Sequence, residues 1–544
     1  MAINVALCTP EIKPGAVLSN TEKIKNCIFK AKKADLIVFP RLCITGVTCG
    51  SMYSFPILTS AALNALDDIA AATDKTVIIG LPTTRDGRVY DSIAVIQNGN
   101  YSIYSPAKGM TEGGKNSLTY GEDIIPDFDI EGLTVRILPE IDSAPGADLV
   151  LVPTAYPSYL GTTDEVISAA SAIPAAIVVS SGKGESVSGK VMSGDKIVTL
   201  NGKLEEYAGY DEEIITAKIG KIKDSVLAPK KPPREISFTP LSDKECGEAY
   251  DIMGRGIVGR MSEIGTNKVI LGLSGGLDSA NVLVAAVLAF EKYKIDKKNI
   301  ICVTMRGNAS SKRTQDNAAS LIDAFKVTGI NVPIDSAVSL HLRSIGHEAK
   351  DVVYENAQAR ERTQILLDLS NKHNALMLGT GDLSEICLGW STFGGDQLSQ
   401  YNPNCSLTKT AIRALLRYYS VIKHNKAAAK IIEDILATPV SPELLSGQET
   451  ETILGPYEVH DYFIREIVAK KKQPKDIISD AISIFGLSEA TVKQYLKTFL
   501  SRLFRYQFKR NFGPDGVQLF PYDLTDLTIR SDFSPELWLK NCGL

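Results

Sequence analysis

The fold of the second half of the chain is decided by residues 268–290, KVILGLSGGLDS followed by ANVLVAAVLAF. Residues 268–273, which are apolar after Lys268, predict a buried strand, and the almost wholly apolar residues 280–290 predict a helix. A glycine-rich turn between a strand and a helix is where backbone N–H groups and the helix dipole bind phosphate. Gly275 and Gly276 would let the backbone approach the anion, and Ser274 and Ser279 would add hydroxyl donors. We therefore predict a phosphate-binding loop at 274–279.

Asp278 adds a second requirement to this loop. A bare phosphate would repel this carboxylate, so the pattern predicts a metal ion that bridges the carboxylate and the anion. The structural alternative is an ordinary connection between a strand and a helix with a serine at the N-cap, because short motifs recur by chance.

The composition of the whole chain excludes several classes of protein. The 544 residues suffice for two to four domains and contain 59 Lys and Arg against 63 Asp and Glu. This balance offers no net basic attraction for nucleic acid. Nine cysteines without a CxxC pair indicate reduced thiols rather than disulfides or a zinc ribbon. The sequence shows neither a signal-peptide pattern nor an apolar stretch long enough to cross a membrane. We therefore expect a cytoplasmic protein that acts on small molecules, without nucleic acid or membrane partners.

The predicted pattern of strands and helices changes near the middle of the chain. Residues 1–224 contain many short β-branched or apolar runs, such as 4–8, 35–40 and 148–152, separated by turns. The proline-rich segment 228–233, APKKPP, cannot join a regular element. Beyond it, strands alternate with long helices, which predicts an α/β domain with a parallel sheet. We predict a first domain at 1–224, a linker at 225–245 and a second domain at 246–544.

Later blocks of sequence resemble one enzyme family when they are taken together with SGGLDS. These blocks are YENAQARERT at 354–363, LGTGDLSE at 378–385, LGWSTF at 388–393, SLTK at 406–409 and GPYEVHD at 455–461. In this order they resemble the long, two-domain NAD synthetases, which are N-type ATP pyrophosphatases. The resemblance covers most of residues 250–510. It implies a Rossmann-like parallel-sheet domain with a helical C-terminal region.

The resemblance also implies a reaction in two steps. Deamido-NAD is adenylated by ATP, which gives an acyl-adenylate and pyrophosphate, and ammonia then displaces AMP to give NAD. Negative charge develops on the departing pyrophosphate, and a donor-rich loop with Mg²⁺ would stabilise it. ATP is thus the implied co-substrate and Mg²⁺ the implied cofactor. Because family members commonly place the deamido-NAD surface at a subunit interface, the resemblance further implies a homo-oligomer.

The same resemblance implies roles for individual residues. The ATP site would be formed by Ser274, Gly275, Gly276, Leu277, Asp278, Ser279, Thr380 and Lys409. Of these, Asp278, Ser279 and Lys409 would be catalytic, and Asp278 would share the metal with Glu385. The deamido-NAD site would be formed by Asn356, Arg360, Glu385, Trp390, Phe393 and Lys509. Two alternatives stay open, namely surface ion pairs for Arg360 and Arg362 and a core position for Trp390.

Residues 1–224 resemble the other half of these enzymes, a nitrilase-type glutaminase with a four-layer αββα sandwich and a Glu-Lys-Cys triad. The resemblance places Arg41 at the glutamate, Lys108 at the lysine and Pro139 at the cysteine. Arginine cannot accept a proton, and proline has no nucleophile. We therefore expect a pseudo-glutaminase domain and synthesis from free ammonia or ammonia supplied by a partner protein. Glutamine-dependent synthesis through another thiol, that of Cys43 or Cys49, is the alternative.

Two broader alternatives remain open to the sequence. The loop alone would also suit another N-type ATP pyrophosphatase, such as an enzyme that makes GMP or thiolates tRNA. The pair YENAQARERT and GTGDLSE argues against that assignment. The first domain could also bind a regulatory protein partner, a role compatible with any of these reactions.

Overall fold

The computed structural model describes residues 2–106, 118–142, 145–187, 189–221, 241–306, 312–422, 424–438, 450–521 and 534–544. The chain divides into two compact units, Met1–Glu235 and Ile236–Leu544. Lys108 and the proline-rich segment 228–233 lie outside the described residues. The two units are described separately below.

The first unit is built on two mixed sheets, each six-stranded within the residues described. Its strands are β1 (Ala2–Cys8), β2 (Leu36–Val38), β3 (Thr76–Arg85), β4 (Arg88–Gln97), β5 (Asn100–Tyr104), β6 (Phe128–Ile130), β7 (Leu133–Ile137), β8 (Leu149–Thr154), β9 (Ala175–Ser180), β10 (Ser186–Val187), β11 (Lys190–Val191), β12 (Lys196–Leu200), β13 (Lys203–Ala208) and β14 (Ile214–Gly220). One sheet has the order β14-β1-β2-β3-β4-β5, and the other has the order β13-β12-β9-β8-β7-β6. In each sheet the central pairs are parallel, β1 with β2 and β2 with β3 in the first, and β7 with β8 and β8 with β9 in the second.

Three helices, α1 (Val17–Lys30), α2 (Pro56–Ala71) and α3 (Thr162–Ala170), cover the outer faces of these sheets. Strand β1 shows how the layers form, because successive side chains point to opposite faces of a sheet. Val5 and Leu7 join the core between the two sheets. Ala6 and Cys8 join the core under α1 and α2, while α3 covers the second sheet. This arrangement confirms the predicted αββα sandwich.

The second unit begins with α4 (Asp243–Glu263), which starts inside the segment 225–245 that we predicted as a linker. The side chain of Ser242 accepts a hydrogen bond from the backbone N–H of Glu245, and Glu245 accepts one from the backbone N–H of Ser242. This reciprocal capping satisfies donors of the first turn and accounts for the start of the helix at Asp243.

A four-stranded parallel sheet, counted in the described residues, forms the centre of the second unit. Its strands are β15 (Val269–Gly272), β16 (Ile300–Thr304), β17 (Thr328–Asn331) and β18 (Leu376–Met377), in the order β17-β16-β15-β18. The further helices are α5 (Leu277–Lys292), α6 (Lys312–Phe325), α7 (Asp335–Ser344), α8 (Val352–His373), α9 (Leu383–Leu388), α10 (Lys409–Ile422), α11 (Lys426–Leu436), α12 (Thr450–Leu454), α13 (Tyr457–Phe463), α14 (Ile478–Phe485), α15 (Glu489–Arg505), α16 (Gln507–Arg510) and α17 (Glu536–Asn541). The predicted strand and helix at 268–290 are β15 and α5, and the helical C-terminal region is confirmed.

Apolar packing on both faces holds the parallel sheet, as is typical of strands joined by helical crossovers. Ile270, Val303 and Met377 pack with Leu366 of α8 in one cluster. The C-terminal helices have a core of their own, which includes Cys387 of α9. Across the described residues, the structure contains no helix with the length and apolar character of a membrane span.

Candidate active site

A cavity of about 770 Å³ lies at the carboxyl edge of the parallel sheet. Its wall includes the segments that follow β15, β16 and β18, and the carboxyl edge is where open parallel sheets bind ligands. Every residue that the sequence predicted for ATP, the metal or deamido-NAD lines this one cavity. The structure therefore brings these residues together, while their individual roles stay predictions.

The predicted phosphate loop occupies the turn between β15 and α5. Ser274 Oγ accepts a hydrogen bond from the Gly276 N–H at 3.1 Å and lies 3.1 Å from Ser279 Oγ. Gly275 has a φ of +86°, and a Cβ built on it would lie 1.9 Å from the carbonyl oxygen of Thr314 in α6. Only glycine fits this conformation and this approach to the neighbouring backbone.

A chain of buried amides fixes the loop against the segment that follows β18. Asn404 Nδ2 donates to the carbonyl oxygens of Asp278 and Thr380, both at 3.1 Å. Its Oδ1 accepts from Asn281 Nδ2 at 2.9 Å, and Tyr250 OH donates to Asn281 Oδ1 at 2.9 Å. Because buried polar groups need partners, these contacts hold two walls of the cavity in one arrangement.

Lys409, at the first position of α10, places its ammonium among three carboxylates. Nζ lies 2.6 Å from Asp278 Oδ2, 2.7 Å from Asp382 Oδ2 and 2.8 Å from Glu385 Oε1. Its side chain is 1% exposed. Burial alone would lower the pKa of Lys409, but the three carboxylates raise it well above its usual range. The ammonium therefore stays charged; it donates hydrogen bonds to Asp278 and Glu385 and forms an ion pair with Asp382.

The same three carboxylates meet the chemical requirements of Mg²⁺. One oxygen of each of Asp278, Asp382 and Glu385 lies within 4.8 Å of the other two. Oδ1 of Asp278 is buried and has no hydrogen-bond partner among the residues that the structure describes. Because Mg²⁺ binds carboxylate oxygens, this set fits the predicted ion.

The other end of the cavity is formed by the segment 389–393. Lys509 Nζ donates to the carbonyl oxygens of Gly389 at 2.8 Å and Ser391 at 2.5 Å. Burial lowers the pKa of Lys509, and the charge of Arg502 lowers it further. The guanidinium of Arg502 lies 5.1 Å from the centroid of the Trp390 ring. Lys509 thus holds the backbone on both sides of Trp390.

Helix α8 holds the same segment from the opposite side. Asn356 Oδ1 accepts a hydrogen bond from Thr392 Oγ1 at 2.9 Å, and Arg360 Nε donates to the carbonyl oxygen of Phe393 at 3.2 Å. Arg360 is therefore engaged with the cavity wall. Trp390 lines the cavity and also packs, partly buried, against the C-terminal helical core.

Sequence reasoning missed several residues that organise this site. They are Asp382, Asn404, Ser384, Tyr457 and Asp461. Four of them lie in blocks already recognised as motifs, Asp382 and Ser384 in LGTGDLSE and Tyr457 and Asp461 in GPYEVHD. The signal that could have identified them is the presence of further polar residues inside those blocks.

In the first unit, Arg41 forms a fully buried ion pair with Asp91 of β4. Nη2 of Arg41 lies 3.0 Å from Asp91 Oδ2, Nε donates to Oδ1 at 3.1 Å, and both side chains are 0% exposed. Pro139 lies two residues beyond the end of β7. The residue expected to be the general base of a glutaminase is thus a cation whose charge is taken up by a neighbouring acid.

The two thiols considered as replacement nucleophiles are both buried. Burial raises the pKa of Cys43 well above its usual range and that of Cys49 to about 11. The Cys49 thiol donates to the carbonyl oxygen of Thr45 at 3.2 Å. Because a thiolate is the nucleophile in thiol catalysis, these surroundings disfavour both residues.

Comparison with known proteins supports the interpretation of the motifs. Residues 251–511 match the family model described as NAD synthase. The glutamine-dependent NAD(+) synthetase of Mycobacterium tuberculosis is 26% identical, with 99% of this chain and 97% of that protein covered. Its counterpart in Xanthomonas campestris is 28% identical, with 95% of each covered. The predicted resemblance is confirmed.

A solved structure extends the similarity to the fold of the whole chain. The crystal structure of a glutamine-dependent NAD(+) synthetase from Cytophaga hutchinsonii matches with a TM-score of 0.82 at 18% identity, and 100% of both chains is covered. A second such structure, from Acinetobacter baumannii in complex with ADP, matches with a TM-score of 0.69 at 23% identity, covering 96% of this chain and 97% of that one. At these identities the two structures establish the fold of both units.

Proposed function

We propose that this chain, whose residues 251–511 match the NAD synthase family model, makes NAD by ATP-dependent amidation of deamido-NAD. The observation that carries the proposal is the charged end of the cavity, where the phosphate loop meets Lys409 and three carboxylates. The products would be NAD, AMP and pyrophosphate. The apolar end of the same cavity, around Trp390 and Phe393, offers a surface for the rings of a dinucleotide.

The residues of the loop would bind and orient the phosphates of ATP. The turn from Ser274 to Gly276 leads directly into α5, so backbone N–H groups and the positive end of the helix dipole are available to the anion. Bound Mg²⁺, held by Asp278 and Glu385, would neutralise charge on the pyrophosphate as it leaves. The ammonium of Lys409 supplies a fixed positive charge beside the same group.

The segment 389–393 would orient deamido-NAD so that its carboxylate meets the α-phosphorus of ATP. Lys509 and Arg360 hold this segment through its carbonyl oxygens, and Asn356 holds it through Thr392. Trp390 can then stack on a ring of the substrate without losing its own support. The homo-oligomer and a partner protein that supplies ammonia stay predictions.

The reaction is tested with the purified full chain, ATP, deamido-NAD, MgCl₂ and ammonium chloride. Chromatography should show NAD and AMP in equal amounts, with an equal amount of pyrophosphate in a coupled assay. A reaction without deamido-NAD is the control for ATP hydrolysis. Formation of ADP in place of AMP, or no NAD in the complete mixture, would contradict the proposal.

Two nitrogen donors remain, and each has an observation in its favour. The curated relatives that cover nearly the whole chain are named glutamine-dependent, which favours our alternative prediction over synthesis from ammonia alone. The buried pair of Arg41 with Asp91, together with Pro139, favours ammonia, since neither a base nor a nucleophile stands at the predicted triad positions.

Isotope labelling separates the two donors. The enzyme is given glutamine labelled with ¹⁵N in its amide, together with unlabelled ammonium, and the label in NAD is read by mass spectrometry. Labelled NAD with an equal amount of glutamate establishes the glutamine-dependent reaction in the first unit. Unlabelled NAD without glutamate establishes ammonia as the donor. Slow turnover with glutamine alone would not establish it.

A further inference from the structure

We propose that Asp461 is a positioning residue that fixes Lys409 and Glu385 relative to each other for ATP binding. This inference rests on the proposed function, because it presumes that Lys409 contacts ATP. Asp461 lies in the block GPYEVHD, at the carboxyl-terminal part of α13, and it is fully buried. Its carboxylate does not line the cavity, so it would act only through its neighbours.

The carboxylate of Asp461 joins the first turns of two separate helices. Oδ1 accepts a hydrogen bond from Ser384 Oγ of α9. Oδ2 accepts from the backbone N–H of Thr410 in α10 at 3.0 Å and also from the hydroxyl of Thr410. Ser384 Oγ in turn accepts from the backbone N–H of Lys409 at 3.0 Å. These contacts satisfy N–H groups that the first turn of a helix leaves without partners.

These contacts position Lys409 and Glu385 because they hold the residues next to them in sequence. Ser384 immediately precedes Glu385, and Thr410 immediately follows Lys409. One carboxylate therefore holds the Ser384 hydroxyl beside Glu385 and the Thr410 backbone N–H beside Lys409, the two members of the ion pair between Lys409 Nζ and Glu385 Oε1. A lysine side chain is long and flexible, so the placement of its ammonium depends on a fixed backbone and on fixed partners.

A second residue of the block contacts the other end of Lys409. The centroid of the Tyr457 ring lies 5.5 Å from Lys409 Nζ, within the range of a cation–π contact. Tyr457 and Asp461 are four residues apart on one helix, so they share one face of α13. This face thus supports Lys409 at its backbone through Asp461 and at its ammonium through Tyr457.

The test is a double-mutant cycle with the full chain, in which binding of ATP in the presence of MgCl₂ is measured by isothermal titration calorimetry. Asp461→Asn replaces one acceptor oxygen by an NH₂ donor against Thr410 or Ser384. We expect it to weaken ATP binding about tenfold. In the background of Lys409→Ala, the same change should weaken binding by less than about twofold, because the group it positions is gone. Ser384→Ala is a milder second variant and should show the same dependence on Lys409.

The matched control is Glu466→Gln, a change in another buried acid just beyond α13. Glu466 pairs with Arg465, Lys470 and Lys472, away from the residues that line the cavity. It should lower the midpoint of thermal unfolding and leave ATP affinity within about twofold of wild type.

Three results would overturn the inference. One is unchanged ATP affinity in both Asp461→Asn and Ser384→Ala, and another is an equal loss of affinity with and without Lys409. The third is an equal loss in Glu466→Gln, which would indicate a general loss of structure. Failure of the wild-type chain to bind ATP would instead refute the proposed function, and this inference with it.

Discussion

Removal of the Arg41 guanidinium should destabilise the first unit more than an average core substitution does. In Arg41→Met, the carboxylate of Asp91 loses its ion pair with Arg41 while it stays fully buried. Removal of one partner from a buried ion pair costs about 3–5 kcal/mol. For a domain of this size, each kcal/mol lowers the midpoint of thermal unfolding by about 2–4 °C, so we expect a decrease of about 10 °C.

The assay is differential scanning calorimetry of the full chain, with hydrogen exchange of β2 and β4 peptides to assign the transition to the first unit. The double variant Arg41→Met with Asp91→Leu is the control, because apolar residues of similar volume often replace a buried ion pair without loss. It should unfold within about 3 °C of wild type. A large loss in the single variant and recovery in the double variant would measure the coupling of the pair.

The variant Arg41→Glu reverses the charge at the same buried ion pair. It restores the glutamate expected in a nitrilase-type triad, but it places a second carboxylate beside Asp91 in a buried site. We expect it to be at least as destabilising as Arg41→Met and to release no glutamate from glutamine. An Arg41→Met protein that unfolds like wild type would refute the reasoning, because it would mean that the pair is not desolvated in solution.

Two further predictions concern the second unit. Asp278→Asn and Glu385→Gln should each lower the rate of NAD formation at least about 100-fold, because loss of a metal carboxylate costs several kcal/mol in the transition state. The circular dichroism spectrum should stay that of wild type. Near-normal turnover in both variants would contradict the metal assignment. His460 concerns stability: burial lowers its pKa from 6.5 to about 4, so the folded state binds fewer protons than the unfolded state between these values. The contribution of neutral His460 to the free energy of unfolding is present above pH 6.5. It is lost as the pH falls towards 4, by roughly 3 kcal/mol in total. Urea unfolding from pH 7 to pH 4 should show this loss in wild type and a shallower loss in His460→Gln, and identical pH profiles would contradict the assignment.

The local parts of this structure could be predicted from sequence because their causes are local. Residues 268–290 form a strand, a turn and a helix for reasons contained in the stretch itself, namely apolar runs and two glycines. The predicted linker at 225–245 overlaps the first three residues of α4, because the capping pair of Ser242 and Glu245 was not recognised in the sequence.

The site was harder to predict wherever it depends on contacts between distant residues. Lys409 is 131 residues from Asp278 in sequence, and no spacing rule reports that its ammonium lies among three carboxylates. The motifs placed these residues in one site only through resemblance to a family. Asp91 shows the same limit in the first unit, because nothing near it in sequence marks it as the partner of Arg41.

Positions 275 and 41 differ in the size of the side chain that the surrounding structure accommodates. At residue 41, a large cation is accommodated because the carboxylate of Asp91 in β4 balances its charge. At residue 275, even a methyl group would meet the backbone of α6, and backbone cannot rotate aside as a side chain can. A substitution there would displace the first turn of α6 or the loop itself, so its effect would spread beyond the mutated residue. Position 41 thus holds a large side chain that has a matched partner, whereas position 275 excludes any side chain.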